Sequence, residues 1–143
     1  MKKLKQLFKD KRGFSDTVSM LGVALLLSIL TIAGIVLASY IHNVTVLDRF
    51  ADELVSKAAL EGKCTGDEID ERYNELVKST GLKPKVTFDA NYYNNTKKTV
   101  QYGDSISVHV ELELTIIGYG RTNYIKHLAV RTSTGQSMQY WKG

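Results

Sequence analysis

From Thr17 through Leu47 the sequence holds no Asp, Glu, Lys or Arg, a run of 31 residues in which His42 alone titrates near neutrality. No other feature limits the fold as strongly. A helix that is apolar on every side needs either lipid or a large protein around it, and a chain of 143 residues is about one domain, too small to wrap such a helix. The central part of the run, Met20 to Ile41, is 22 residues long, which at 1.5 Å per residue covers about 33 Å against a bilayer core of roughly 30 Å. Thirteen of those positions are Leu, Ile, Val or Met. Each favours insertion by about 0.3 to 0.6 kcal/mol near the bilayer centre, enough to outweigh Ser28, Thr31 and Ser39. The expectation is one transmembrane helix over about residues 18–41, with the lipid bilayer as its first partner.

Charge is distributed as such an anchor requires. Residues 2 to 12 carry Lys2, Lys3, Lys5, Lys9, Lys11 and Arg12 against Asp10, a net +5 in a chain whose total is +4, so the remainder is slightly acidic. The tendency of positive flanks to stay inside then predicts a cell-membrane protein with a cytoplasmic N-terminus and an extracellular C-terminal part. A basic tail beside an apolar segment is not the folded basic face of a nucleic-acid reader, so no nucleic-acid partner is expected. Val36-Leu37-Ala38 offers small residues for signal peptidase, but the apolar run is longer than a usual signal core and its pattern continues.

Beyond the run, Val44, Leu47, Ala51, Leu54, Val55 and Ala58 recur at spacings of three and four, with Asp48, Arg49, Asp52, Glu53 and Lys57 between them. This predicts one helix from about Phe14 to Glu61, apolar in its first half and amphipathic in its second. Gly62 fits its C-cap, and Thr65-Gly66-Asp67-Glu68 has the form of a capping box opening a second helix over about 66–79 that Gly81 and Pro84 stop. Ile69, Tyr73, Leu76 and Val77 give that helix its apolar face. The period then becomes two: Ile106, Val108, Val110, Leu112 and Leu114 alternate with Ser105, Ser107, His109, Glu111 and Glu113 in a half-exposed strand. Shorter strands are expected at 84–90, 99–102 and 125–132, turns at Gly103-Asp104 and Gly118-Tyr119-Gly120, and a polar surface loop over 91–98. The predicted fold class is α+β: a long N-terminal helix, a short second helix, and a small antiparallel sheet of three to four strands. The predicted domains are a basic leader over 1–13, the long helix over 14–61 and an extracellular head over 62–143. A head of 82 residues is marginal alone, and the outer half of the long helix supplies the apolar stripe its sheet can cover.

Lys11-Arg12-Gly13-Phe14, a basic tail ending in Gly then Phe just before a long apolar helix, resembles the prepilin leader of type IV pilin-like proteins. The final stretch, Arg131 to Lys142, is similar to the ends of small tight-adherence (TadE-like) pseudopilins of Gram-positive bacteria. The resemblance implies cleavage by a prepilin peptidase between Gly13 and Phe14, methylation of the new N-terminus, and assembly with other pilin-like subunits into a pilus or pseudopilus serving adhesion or secretion. Such proteins carry Glu as the fifth mature residue; here that position is Val18, and Asp16 stands at the third. Asp16 either pairs with the amine of Phe14, within or between subunits, or serves with Ser15 as an N-cap at the membrane interface. Ala24 and Ser28, and Gly34 and Ala38, are small residues four apart that permit close helix–helix approach or simply face lipid.

Nothing else in the sequence points to chemistry. Cys64 is the single cysteine, which excludes an internal disulfide and leaves a bridge between two copies as its one covalent option. His42, His109 and His127 are too scattered for a metal site. There is no nucleophile elbow, zinc-protease motif, phosphate loop or dinucleotide fingerprint, so neither a cofactor nor an enzymatic activity is expected. Glu111 and Glu113 are paired by spacing, without an apolar pocket to raise either pKa. The function expected is structural assembly through the N-terminal helix; the alternative is an uncleaved, single-pass membrane-anchored extracellular binding or sensor domain.

Overall fold

The computed structural model describes residues 11–119 and 122–142, with the backbone alone described at 11–16, 116–119 and 122–124. The protein is α+β. Helix α1 spans Lys11–Glu61 and α2 spans Asp67–Thr80; they are followed by β1 (Lys85–Ala90), β2 (Tyr92–Asn94), β3 (Thr99–Val100), β4 (Ser105–Tyr119) and β5 (Thr122–Gln136). One antiparallel sheet has the order β1-β4-β5, and β2 pairs with β3 in a second. Helix α1 is already formed at Lys11, the first described residue, and runs without interruption to Glu61, since no Pro or Gly pair interrupts it.

The chain divides into compact units between Ser39 and Tyr40. In the first, α1 presents the side chains of Thr17 to Ile35 outward. The second unit contains the last part of α1 together with everything after it. Leu47, Phe50, Ala51, Leu54, Val55 and Ala58 of α1 are buried in one cluster with Ile106, Val108, Val110 and Leu114 of β4. On β1, Val86 faces Val110, Phe88 faces Val108 and Ala90 faces Ile106, so the alternation on β4 continues across the strand pair. Ile69 and Leu76 of α2 close the cluster, and Tyr73 lies edge-on to Phe50 with ring centroids 6.2 Å apart. Arg72 bonds both Glu75 and Glu53, tying α2 to α1. The Arg49 hydrogen bond, together with Arg72, holds the Glu53 carboxyl below its ordinary pKa against the opposing effect of burial.

Three local expectations change. The Thr65-x-x-Glu68 capping box does not form: Gly66 is the N-cap, without a side-chain bond, and its carbonyl accepts from the amides of Ile69 and Asp70 at 3.0 and 3.1 Å. Asp67, Glu68 and Asp70 in the first turn favour the helix dipole instead. Tyr92–Asn94, within the expected loop, forms a strand paired with β3, which is itself bonded to Gly62 and Lys63 just after α1. Gly118 and Tyr119, expected in a turn, are strand residues opposite Asn123 and Thr122, and β4 and β5 are each 15 residues long.

The C-terminal segment locks the end of α1. Gly62 has φ +61, and a Cβ there would lie 2.5 Å from Gln139 Cβ, so glycine is required on both counts. The Gly62 carbonyl accepts from Val100 N–H at 2.8 Å. Val100 O accepts in turn from Ser137 Oγ and from Trp141 Nε1. Gln101 completes the clasp, its amide group bonding both the N–H and the carbonyl of Trp141. Because Leu54 is fully buried while Leu60 is 54% exposed, Leu54→Ala lowers stability by about 2–5 kcal/mol and Leu60→Ala by less than about 0.5 kcal/mol. Urea unfolding of the detergent-solubilised full chain measures both.

Candidate membrane and assembly surface

A hydroxyl in lipid needs a partner, and the helix supplies one for Ser28, Thr31 and Ser39. Ser28 Oγ donates to Ala24 O at 2.8 Å, Thr31 Oγ1 to Leu27 O at 2.8 Å and Ser39 Oγ to Ile35 O at 3.0 Å. These i−4 bonds remove most of the cost of placing hydroxyls in hydrocarbon. The helix is long and apolar enough to cross a membrane, and none of its most apolar 18-residue window is buried. It is compatible with a single-pass anchor. Gly34 has no atom within 4 Å of where a Cβ would stand, and Ala38 is exposed, so this side of the helix is open to another backbone. Gly13 and Phe14 lie inside α1, one after the other on helical backbone, as does Asp16; the side chains of Phe14 and Asp16 fall outside the described residues.

The polar side chains of the head are engaged with one another across strands. On the outer face of the sheet, Glu111 lies 3.8 Å from Lys85 and Glu113 3.1 Å from Lys126, each carboxylate facing its own cation on a neighbouring strand. His109 Nδ1 is 2.8 Å from Thr132 Oγ1, and Ser107 is hydrogen-bonded to Thr134. Ser107, His109, Glu111 and Glu113, which the alternation puts on one strand face, therefore form a solvated cross-strand ladder. Among the described residues no group of three or more His, Cys, Asp or Glu is placed to hold a metal ion. A cleft of about 400 Å³ lies between Leu54, Ile69, Tyr73, Val86 and Phe88, with Asp70 and Lys85 also lining it. It is an apolar seam between α1, α2 and β1.

Cys64 lies in that seam at 2% exposure, where reaching a second copy would require the head to open. Burial pushes its thiol pKa up, opposed by Tyr92 and Lys98. Burial, with the Cys64 sulfur beside it, also raises Tyr92 to about 12. Trp141 is held in the clasp, while Tyr140 is exposed. Cys64 in the native protein therefore resists a thiol reagent at pH 8 and reacts on unfolding. A tyrosine of the unfolded chain loses its proton near 10, whereas Tyr92 in the fold keeps it to about 12. The unfolded state thus binds fewer protons between those values, and stability falls as pH rises from 10 to 12. Urea midpoints at pH 9 and 11 check this, with a smaller drop expected for Tyr92→Phe.

Comparison with known families adds a boundary to this picture. A family model described as Domain of unknown function (DUF4320) matches residues 20–142. No curated protein and no solved structure matches the chain. The matched region takes in the apolar run and the head together, and leaves Gly13, Phe14 and Asp16 before its start. With most of its length covered, the chain belongs to the DUF4320 family.

Proposed function

We propose that this protein is a pilin-like structural subunit, inserted in the cell membrane by its N-terminal helix and assembled with other such subunits into a pilus or pseudopilus for adhesion or secretion. The observation that carries the reading is the division of labour along α1. Its last part is consumed by the head core, while Thr17 to Ile35 stay exposed as an uncharged, largely apolar surface whose natural surroundings are lipid or neighbouring helices. The tail's +5 orients the helix with its N-terminus in the cytoplasm and the head outside. A prepilin peptidase acting between Gly13 and Phe14 would create the mature N-terminus, and Asp16 would pair with the new amine. Gly34 and Ala38 form the side where helices approach.

A second reading, an uncleaved anchored extracellular binding or sensor domain, is favoured by Val18, which stands where pilin-like proteins carry Glu. Mass and N-terminal sequence of protein taken from membranes separate the two: a start at Phe14, methylated, is expected, whereas a start at Met1 supports the second reading. A start at Ser39 contradicts both. Gly34→Leu keeps the head folded and lowers cross-linked multimers in membranes severalfold. Asp16→Ala lowers assembly as well, and normal assembly with that variant removes the pairing role from Asp16.

A further inference from the structure

The segment after β5 is held to the rest of the head by polar bonds, with little burial. Ser137 N–H donates to Asp104 O and the Ser137 carbonyl accepts from Gly103 N–H, both at 2.9 Å, and Met138 N–H donates to Ala59 O at 2.8 Å. Further along, Trp141 donates from Nε1 to Val100 O at 3.1 Å and from its backbone N–H to Gln101 Oε1 at 2.7 Å. Its carbonyl accepts from Gln101 Nε2 at 3.0 Å, and Lys63 Nζ sits 5.4 Å from the centre of the indole ring. Of residues 137–141 only Ser137 is buried; Met138 and Tyr140 are 64% and 68% exposed, and none of the five joins the apolar cluster of the core. A segment tied by part-exposed hydrogen bonds and few apolar contacts lies at the low end of local stability, because water takes over each bond as it breaks.

What this strap fastens is itself weakly attached. Among the described residues, β2 and β3 share no strand pairing with the β1-β4-β5 sheet. Their backbone ties run to the residues just after α1: Val100 N–H to Gly62 O at 2.8 Å, the Lys63–Thr99 bridge, and Cys64 N–H to Lys98 O at 3.0 Å. The strap converges on the same strand, since Val100 O accepts from both Ser137 and Trp141. Cys64 and Val100 are 2% and 0% exposed, and the Cys64 sulfur lies beside Tyr92 of β2. By contrast, α1, α2 and the three-stranded sheet hold one another through Phe50 on Tyr73, Arg72 on Glu53 and the β1–β4 and β4–β5 ladders, none of which uses the strap.

We propose that residues 137–141 form a releasable strap: they open together with β2 and β3 as one cooperative unit while α1, α2 and the β1-β4-β5 sheet stay folded, and this opening is the route by which Cys64 becomes accessible. Trp141 is the single tryptophan of the chain, so tryptophan fluorescence reports the strap. In urea titrations of the full-length chain in detergent, the fluorescence transition comes at lower urea than the loss of helix seen by circular dichroism. Gln101→Ala removes both side-chain bonds to the Trp141 backbone. It lowers the fluorescence midpoint and, without urea, raises the rate at which a maleimide labels Cys64 by about tenfold. The circular dichroism midpoint stays where it was, because the strap has already opened when the core unfolds. Tyr140→Ala, which removes an exposed side chain, changes neither the labelling rate nor the midpoints. Coincident fluorescence and circular dichroism transitions in the unaltered chain overturn the proposal, and that comparison decides it even where Gln101→Ala does not fold. A Gln101→Ala chain in which both midpoints shift together overturns it too. So does an early fluorescence transition with Cys64 labelling unchanged by Gln101→Ala, since β2 and β3 then do not follow the strap.

Discussion

The head exists as a folded object because the amphipathic part of α1 gives its sheet something apolar to close upon. Ile106, Val108 and Val110 are fully buried on a sheet of only three strands, and a sheet that narrow cannot bury a face by itself. Phe50, Leu47 and Leu54 fill the space above it from one helix face. The clasp of Gly62, Val100, Ser137 and Trp141 fastens the end of that helix to the last residues of the chain, so the helix is part of the head and not merely a stalk. One helix thus carries both an exposed apolar run, compatible with a single-pass anchor, and the apolar stripe on which the head closes.

Whatever the apolar part of α1 binds, the part that carries the head continues the same backbone helix with no break between Lys11 and Glu61. The hydroxyls of Ser28, Thr31 and Ser39 return their bonds to their own helix, so these three add no demand for an outside polar partner.

Much of this was legible in the sequence. The 3.6-residue stripe from Val44 to Ala58 and the two-residue alternation on β4 depend on which side chains water rejects, and both placed the right residues inside. The exceptions have physical causes. Phe50 falls outside the expected stripe, yet it is the largest fully buried side chain because α2 folds back over it through Tyr73. The helix-facing row of β5 reads Ala129, Arg131, Ser133, Gly135, which no hydrophobic pattern would select. Those residues are small or polar because α1 passes close over them: Gly135 leaves room for Val55, and Ser133 meets Asp52. The candidate assembly residues divide similarly, with Gly34 and Ala38 found on an open helix surface and Gly13, Phe14 and Asp16 located only by backbone.

The amino-acid sequence by itself determined the apolar span, its charged flank, the periodicity of each main element and therefore the α+β class, because these follow from local composition and from the fixed geometry of helix and strand. Tertiary structure alone decided the length of the β4–β5 hairpin, the pairing of β2 with β3, the burial of Cys64 and the use of Trp141 as a clasp. Each of those rests on contacts between residues distant in the chain, and such contacts leave no period in the sequence to be read.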